Sequence, residues 1–370
     1  MLRSALLIGT GIAAALVFAC VPPPPGPAGG TPGALSCSAS DFLSKITVVQ
    51  SLPPIYPGSG TLAASGGAGS YTAPLTAVFN AAAGSNFQQV LCQPGAASGG
   101  SGVDVVYIVA APCGGPQCLE SSAGWWHDTS AGGRQRIVAL SSSLLSGSYD
   151  GYENALTKAL FPGSFVRYAS PKCGGTPCSS NDSMALAALA ALAHEIGHIR
   201  WFEWGINANP GGFCSGNFFV GWDPGTTTFQ PPGGAHGGYW RDLLTFNARE
   251  RVRSHPAYPY SGYFYTHSVS GGPQIDDIDI QPGGGPAQSF KLYSLLSAQS
   301  SPWASLFAAL SPDEDFVEAY KLKVLMNASP PLTSVSLTIG WNTALDIPQG
   351  VGSGARSVLN DKLATCIKAY

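Results

Sequence analysis

The chain has 370 residues, 45% of them hydrophobic and only 11% charged, with 18 Lys and Arg against 21 Asp and Glu. Soluble domains usually carry about 25% charged residues, so this surface must be built largely from Ser, Gly, Asn, Gln and Pro. That excludes a coiled coil and a charged disordered tail, and with no basic run to track phosphates it excludes a nucleic-acid partner.

The chain opens with Arg3 as the single charge ahead of an apolar run from Ser4 to Ala19. A short positive start followed by an apolar stretch predicts a secretory signal peptide over residues 1–20. Its end, Val17-Phe18-Ala19-Cys20, is followed by Val21 and four prolines and resembles a bacterial lipobox. The resemblance implies that Cys20 carries a lipid and becomes the first residue of a membrane-anchored protein of the bacterial cell envelope. Cleavage after Ala19, giving a secreted protein, and an uncleaved anchor are the alternatives. Residues 21–36, rich in Pro, Gly and Ala, read as a semi-stiff tether.

Export places the remaining eight of the nine cysteines in an oxidising compartment, where an even number reads as disulfides. Cys113-Gly-Gly-Pro-Gln-Cys118 and Cys173-Gly-Gly-Thr-Pro-Cys178 share a Gly-Gly turn, so each pair is a candidate local disulfide. The same four thiols could instead form a zinc ribbon. Pairings among Cys37, Cys92, Cys214 and Cys366 are not legible.

From residue 37 to about 170, short β-branched runs alternate with Gly/Ser/Pro stretches. Ile46–Gln50, Val103–Val109 and Arg136–Leu140 read as strands, and Ala73–Gln89 and Tyr149–Phe161 as helices. Asn181-Asp182-Ser183 then precedes a run of Ala and Leu that continues to Phe202 without Pro. That is a helix with capping residues, apolar on every side and therefore buried. Residues from about 205 to 290, rich in Gly, Pro and aromatics with one helix predicted over Tyr239–Val252, read as a long insertion. Helices are predicted again over Phe290–Leu296, Pro312–Met326 and about Leu359–Lys368. The expected architecture is α+β, one domain over 37–370 with a β-rich N-terminal part, a central helix and a helical C-terminal part.

The central helix carries His194-Glu195-Ile196-Gly197-His198. Residues four apart share a helical face, so both imidazoles can reach one metal ion, zinc above all. Zinc draws the pKa of a bound water toward about 7, and the Glu195 carboxylate can take its proton and return it to a leaving amine. With six His in the chain, chance would produce this pattern in about two such chains per thousand. The imidazoles also interrupt an apolar helix, where unpaired polar groups are unfavourable.

A third protein ligand is needed. Trp201 and Trp204 stand where a third histidine of the extended pattern would lie, which excludes a metzincin. Ser311-Pro-Asp-Glu-Asp-Phe-Val-Glu-Ala-Tyr320 offers Glu314 and Glu318 four apart, one for the metal and the other to orient a liganding imidazole. Ser311 and Glu314 also fit a capping box, in which case Glu318 is the next choice as ligand.

His-Glu-x-x-His followed by a Glu-Asp-Phe-x-Glu-x-Tyr helix resembles the gluzincin metallopeptidases, including the catalytic domain of the anthrax lethal factor type. The resemblance implies a zincin-like fold, zinc on His194, His198 and Glu314, Glu195 as general base and Glu318 behind a ligand. It also implies a protein or peptide substrate, and the envelope location makes proteins or cell-wall peptides outside the cytoplasm the accessible ones. The oxyanion donor stays open among His236, Tyr239, His255, Tyr263, Tyr265 and His267. Two other functions stay open: a non-catalytic surface-binding lipoprotein with a structural or vestigial zinc site, and a metal-dependent amidase acting on cell-wall peptides.

Overall fold

The computed structural model describes residues 37–50, 66–110, 122–128, 134–160, 166–201, 222–223, 228–229, 304–305, 308, 312–340, 345–347, 359–360 and 362–367. The signal segment with Cys20, the tether and nearly all of the insertion lie outside them, as do the helices expected over Tyr239–Val252 and Phe290–Leu296.

Helix α1 (Ala39–Leu43) begins with a capping box: the Asp41 N–H donates to Ser38 Oγ at 3.3 Å and the Ser38 N–H to Asp41 Oδ2 at 3.0 Å. Strand β1 (Ile46–Val49) is followed by helices α2 (Thr72–Ala81) and α3 (Phe87–Cys92). The single helix expected over Ala73–Gln89 is therefore two, joined by a 3-10 turn at Ala82–Gly84. Gly84, Ser85 and Asn86 follow one another there, and such residues favour turns over helix interiors. A distant N–H, that of Ser329, donates to Ala81 O at 2.8 Å and satisfies a carbonyl at the end of α2.

Strands β2 (Val105–Val109), β3 (Ser122–Asp128) and β4 (Arg134–Ser141) join β1 in a sheet of order β1-β2-β4-β3. β1, β2 and β4 are parallel, and β3 runs antiparallel along β4 at the edge opposite β1. The run Val105-Val-Tyr-Ile-Val109 is apolar throughout because Val106, Tyr107 and Ile108 are buried on both faces of the sheet.

Helix α4 (Tyr149–Leu160) leads to β5 (Val166–Cys173) and β6 (Thr176–Pro177), whose hairpin turns through Gly174 and Gly175 at φ of 58° and 88°. Both lie in the left-handed region that favours glycine. Cys173 and Cys178 form a disulfide across this hairpin, with Cα atoms 4.8 Å apart. A second disulfide joins Cys37 to Cys92, at the end of α3, with Cα atoms 5.6 Å apart. Cys113, Cys118, Cys214 and the side chain of Cys366 lie outside the described residues.

Helix α5 (Ser180–Trp201) starts earlier than expected, because Ser179 is its cap: the Asp182 N–H donates to Ser179 Oγ at 3.1 Å. Ser183, by contrast, serves another helix, its hydroxyl accepting the Tyr149 N–H at the start of α4 at 3.0 Å. From Leu186 to Ala193 every residue of α5 is buried. The pairing of β7 (Trp222–Asp223) with β8 (Thr228–Phe229) is all that is described within the insertion.

Helix α6 (Pro312–Met326) has the expected bounds, and β9 (Leu332–Ile339) and β10 (Leu345–Ile347) come after it. A helical C-terminal part is thus corrected to a mixed one, closed by a π-helical turn at Lys362–Cys366. Val335, Leu337 and Ile339 of β9 are buried between half-buried Ser and Thr, the two-residue alternation of a half-covered strand, and Leu332 is buried at its start, where the register with β5 shifts. β9 pairs with β5 in a second, antiparallel sheet of order β10-β9-β5-β6. The fold is α+β, with α5 packed against α2, α4 and α6 and against β3 and β4. Among the described residues no helix is long and apolar enough to cross a membrane.

Candidate metal centre

Helix α5 delivers His194, Glu195 and His198 within its last turns. His194 and Glu195 are buried and His198 half-buried. The two imidazoles lie edge to face, ring centroids 4.9 Å apart at 82°, as their four-residue spacing demands. The end of the helix is tied down by Arg200, also buried, whose Nη2 donates to Ser101 O at 2.7 Å. The loop it grips is itself braced: the Asp104 carboxylate accepts N–H groups of Ala96, Ala97 and Arg136 at 2.8–3.1 Å.

Helix α6 approaches α5 at Gly197. A Cβ placed there would lie 3.2 Å from Val317 Cα and 3.3 Å from its Cγ1, so the missing side chain is what lets the backbones come close. The next residue on α6 is Glu318, fully buried, and its Oε1 lies 2.9 Å from His194 Nδ1. Its Oε2 accepts from Ser305 Oγ at 2.5 Å and pairs with Lys321 Nζ at 2.8 Å. Lys321 Nζ also donates to Glu153 Oε1 of α4 at 3.0 Å. Ser305 is held in turn by the Ala308 N–H, which donates to its Oγ at 3.2 Å.

These contacts dominate the local electrostatics. Burial alone would push the Glu318 carboxyl up, but Lys321 and then His194 outweigh it and hold it at about 2. Burial likewise opposes the charge on Lys321, yet Glu153 and Glu318 together keep its ammonium well above the ordinary lysine range. Burial raises the Glu153 carboxyl against the pull of Lys321, and raises the Tyr149 hydroxyl beside it. Tyr149, Glu153, Tyr168, Ser305, Glu318 and Lys321 line a small cavity behind His194.

The structure therefore brings Glu318 to His194, on the ring nitrogen that an orienting carboxylate would use, and sets the His198 ring beside the same imidazole, while Glu195 follows His194 on α5. Glu314 stands on the first turn of α6, four residues before Glu318 and so on the same face, and its side chain lies outside the described residues. Among the described residues no group of three His, Cys, Asp or Glu side chains is placed to hold a metal ion. Two imidazoles on one face, the first engaged by a carboxylate at Nδ1, are a donor pair that suits zinc. The oxyanion candidates His236, Tyr239, His255, Tyr263, Tyr265 and His267 lie outside the described residues.

Sequence reasoning missed Ser305, Lys321 and Glu153. Lys321 carried a signal, since it follows Glu318 by three residues and must share its face. Ser305 and Glu153 carried none. Compared with protein-family models, with curated proteins and with solved structures, the chain matches none.

Proposed function

We propose that this protein is an exported zinc metallopeptidase of the gluzincin kind, with a zincin-like fold, that cleaves peptide bonds by water attack. The observation that carries the reading is the 2.9 Å contact between His194 Nδ1 and Glu318 Oε1. A carboxylate from a helix more than a hundred residues downstream meets the first histidine of the motif on the nitrogen that does not bind metal in such centres.

His194 and His198 hold the zinc, with Glu314 as the third ligand. When bound, zinc supplies a Lewis acid and a water of lowered pKa. Glu318 accepts a hydrogen bond from the His194 Nδ1–H, which fixes the tautomer and reserves the Nε2 lone pair for the cation. Glu195, adjacent in sequence to the first ligand, takes a proton from the attacking water and delivers it to the leaving amine. An extended substrate can lie along β3, which among the described residues is one of the two outer strands of its sheet and packs against α5.

Lipid attachment at Cys20, or secretion, places the substrates outside the cytoplasm as proteins or cell-wall peptides, at the bacterial cell envelope. The test is Glu195→Gln. Its zinc content should match the wild type while hydrolysis of a casein-type substrate falls about 10²- to 10⁴-fold. Undiminished turnover in that variant rules the mechanism out.

A further inference from the structure

The buried charges around His194 extend past the orienting carboxylate. Lys321 Nζ sits 2.8 Å from Glu318 Oε2 and 3.0 Å from Glu153 Oε1, and its side chain is only 4% exposed. The Tyr152 ring lies 5.5 Å from the ammonium. A cation this deep requires compensation, and two carboxylates with an aromatic ring provide it. Glu318 is asymmetric in what it meets: Oε1 faces His194, while Oε2 faces Lys321 and Ser305. Rotation of the carboxylate would break all three contacts at once. The aim of Oε1 at the imidazole is thus set from behind by a lysine, which Glu153 anchors to α4.

We infer that Lys321 is a positioning residue for the metal centre: clamped between Glu153 and Glu318, it locks the Glu318 carboxylate in the orientation that accepts the hydrogen bond of the His194 Nδ1–H, and so sets metal affinity without touching metal or substrate. The consequence for metal rests on the zinc-peptidase reading. The effect on the His194 ring is a property of the metal-free protein and does not.

The experiment uses the full chain with zinc(II) as the probe. The double variant Glu153→Gln/Lys321→Met removes the clamp and takes away one carboxylate together with one ammonium, so the cluster keeps its net charge. It should melt cooperatively, yet its zinc dissociation constant, from competition with a chromophoric chelator, should rise about 10- to 100-fold. In metal-free protein labelled with ¹⁵N at its six histidines, the His194 signals should move from a single Nδ1–H tautomer to a mixture. A structural ion pair alone would leave zinc affinity within about twofold and the tautomer unchanged in the folded variant, and that result overturns the inference. If the double variant does not fold, Lys321→Gln takes its place, with the same two measurements and the same outcomes for and against. Wild-type protein that takes up no zinc removes the metal reading alone, and the tautomer of the metal-free protein then decides whether Lys321 acts on His194.

Discussion

Glu318 and Lys45 show how differently two titratable side chains can respond to burial. Glu318 is fully enclosed, but three polar partners hold its charge. Lys45, in the turn just before β1, is half-buried and donates to the Gln93 carbonyl. Burial brings its ammonium down to about 8, against the smaller opposing pull of Asp104 and Asp41. Between about pH 8 and the ordinary 10.5, the folded form has released this proton while the unfolded chain still holds it. Lys45 therefore adds stability as pH rises through that window. Compared with Lys45→Met, the wild type should gain about 1–2 kcal/mol across it in urea titrations, once solvent screening is allowed for. Parallel curves for the two proteins would refute this account. At this scale the sequence exposed His194, Glu195, His198 and the Glu314/Glu318 pair, because each follows a short local spacing. Glu153 was hidden because the lysine it pairs with is 168 residues away.

Among elements, the contact of α5 with α6 matters most for the site, and Gly197 governs it. Replacing a mid-helix glycine by alanine usually stabilises by up to about 1 kcal/mol. Here the new methyl would press on the Val317 backbone at 3.2 Å, and overpacking of that kind costs about 1–3 kcal/mol. Gly197→Ala should therefore lose about 1 kcal/mol in net stability, and on the zinc-peptidase proposal it should also weaken zinc binding as Glu318 moves off His194. A melt showing stabilisation with unaltered zinc affinity would contradict that. The helices α4, α5 and α6 were legible because capping residues, apolar faces and helix propensity act within a few residues. The break between α2 and α3 was missed although Gly84-Ser85-Asn86 marks it, because apolar residues at helical spacing resume at once with Phe87, Val90 and Leu91. β9 was missed although its alternation is plain, because the helix before it dominated the reading of the C-terminal part.

For the whole molecule, the Cys37–Cys92 disulfide fastens the start of the described domain to α3 over a separation of 55 residues. Chain-entropy arguments for a loop of that size give about 4 kcal/mol. The double variant Cys37→Ser/Cys92→Ser should fall short of the wild type by up to that amount in chemical denaturation, with the Cys173–Cys178 hairpin left closed. Equal midpoints would show that the cross-link adds nothing.

The sequence by itself determined the α+β class, the buried helix bearing the two histidines, and the carboxylate pair on a later helix. These follow from periodicity and spacing within single elements, where the interactions that decide structure are local. Only the tertiary structure decided that β9 crosses back to pair with β5, that the first sheet runs β1-β2-β4-β3, and that α4, α5 and α6 join Glu153, Lys321, Glu318 and His194 into one buried chain of contacts. Those arrangements bring together residues far apart in the chain, and they depend on which apolar faces cover each other and on which buried charges find partners. Neither is written in any local pattern.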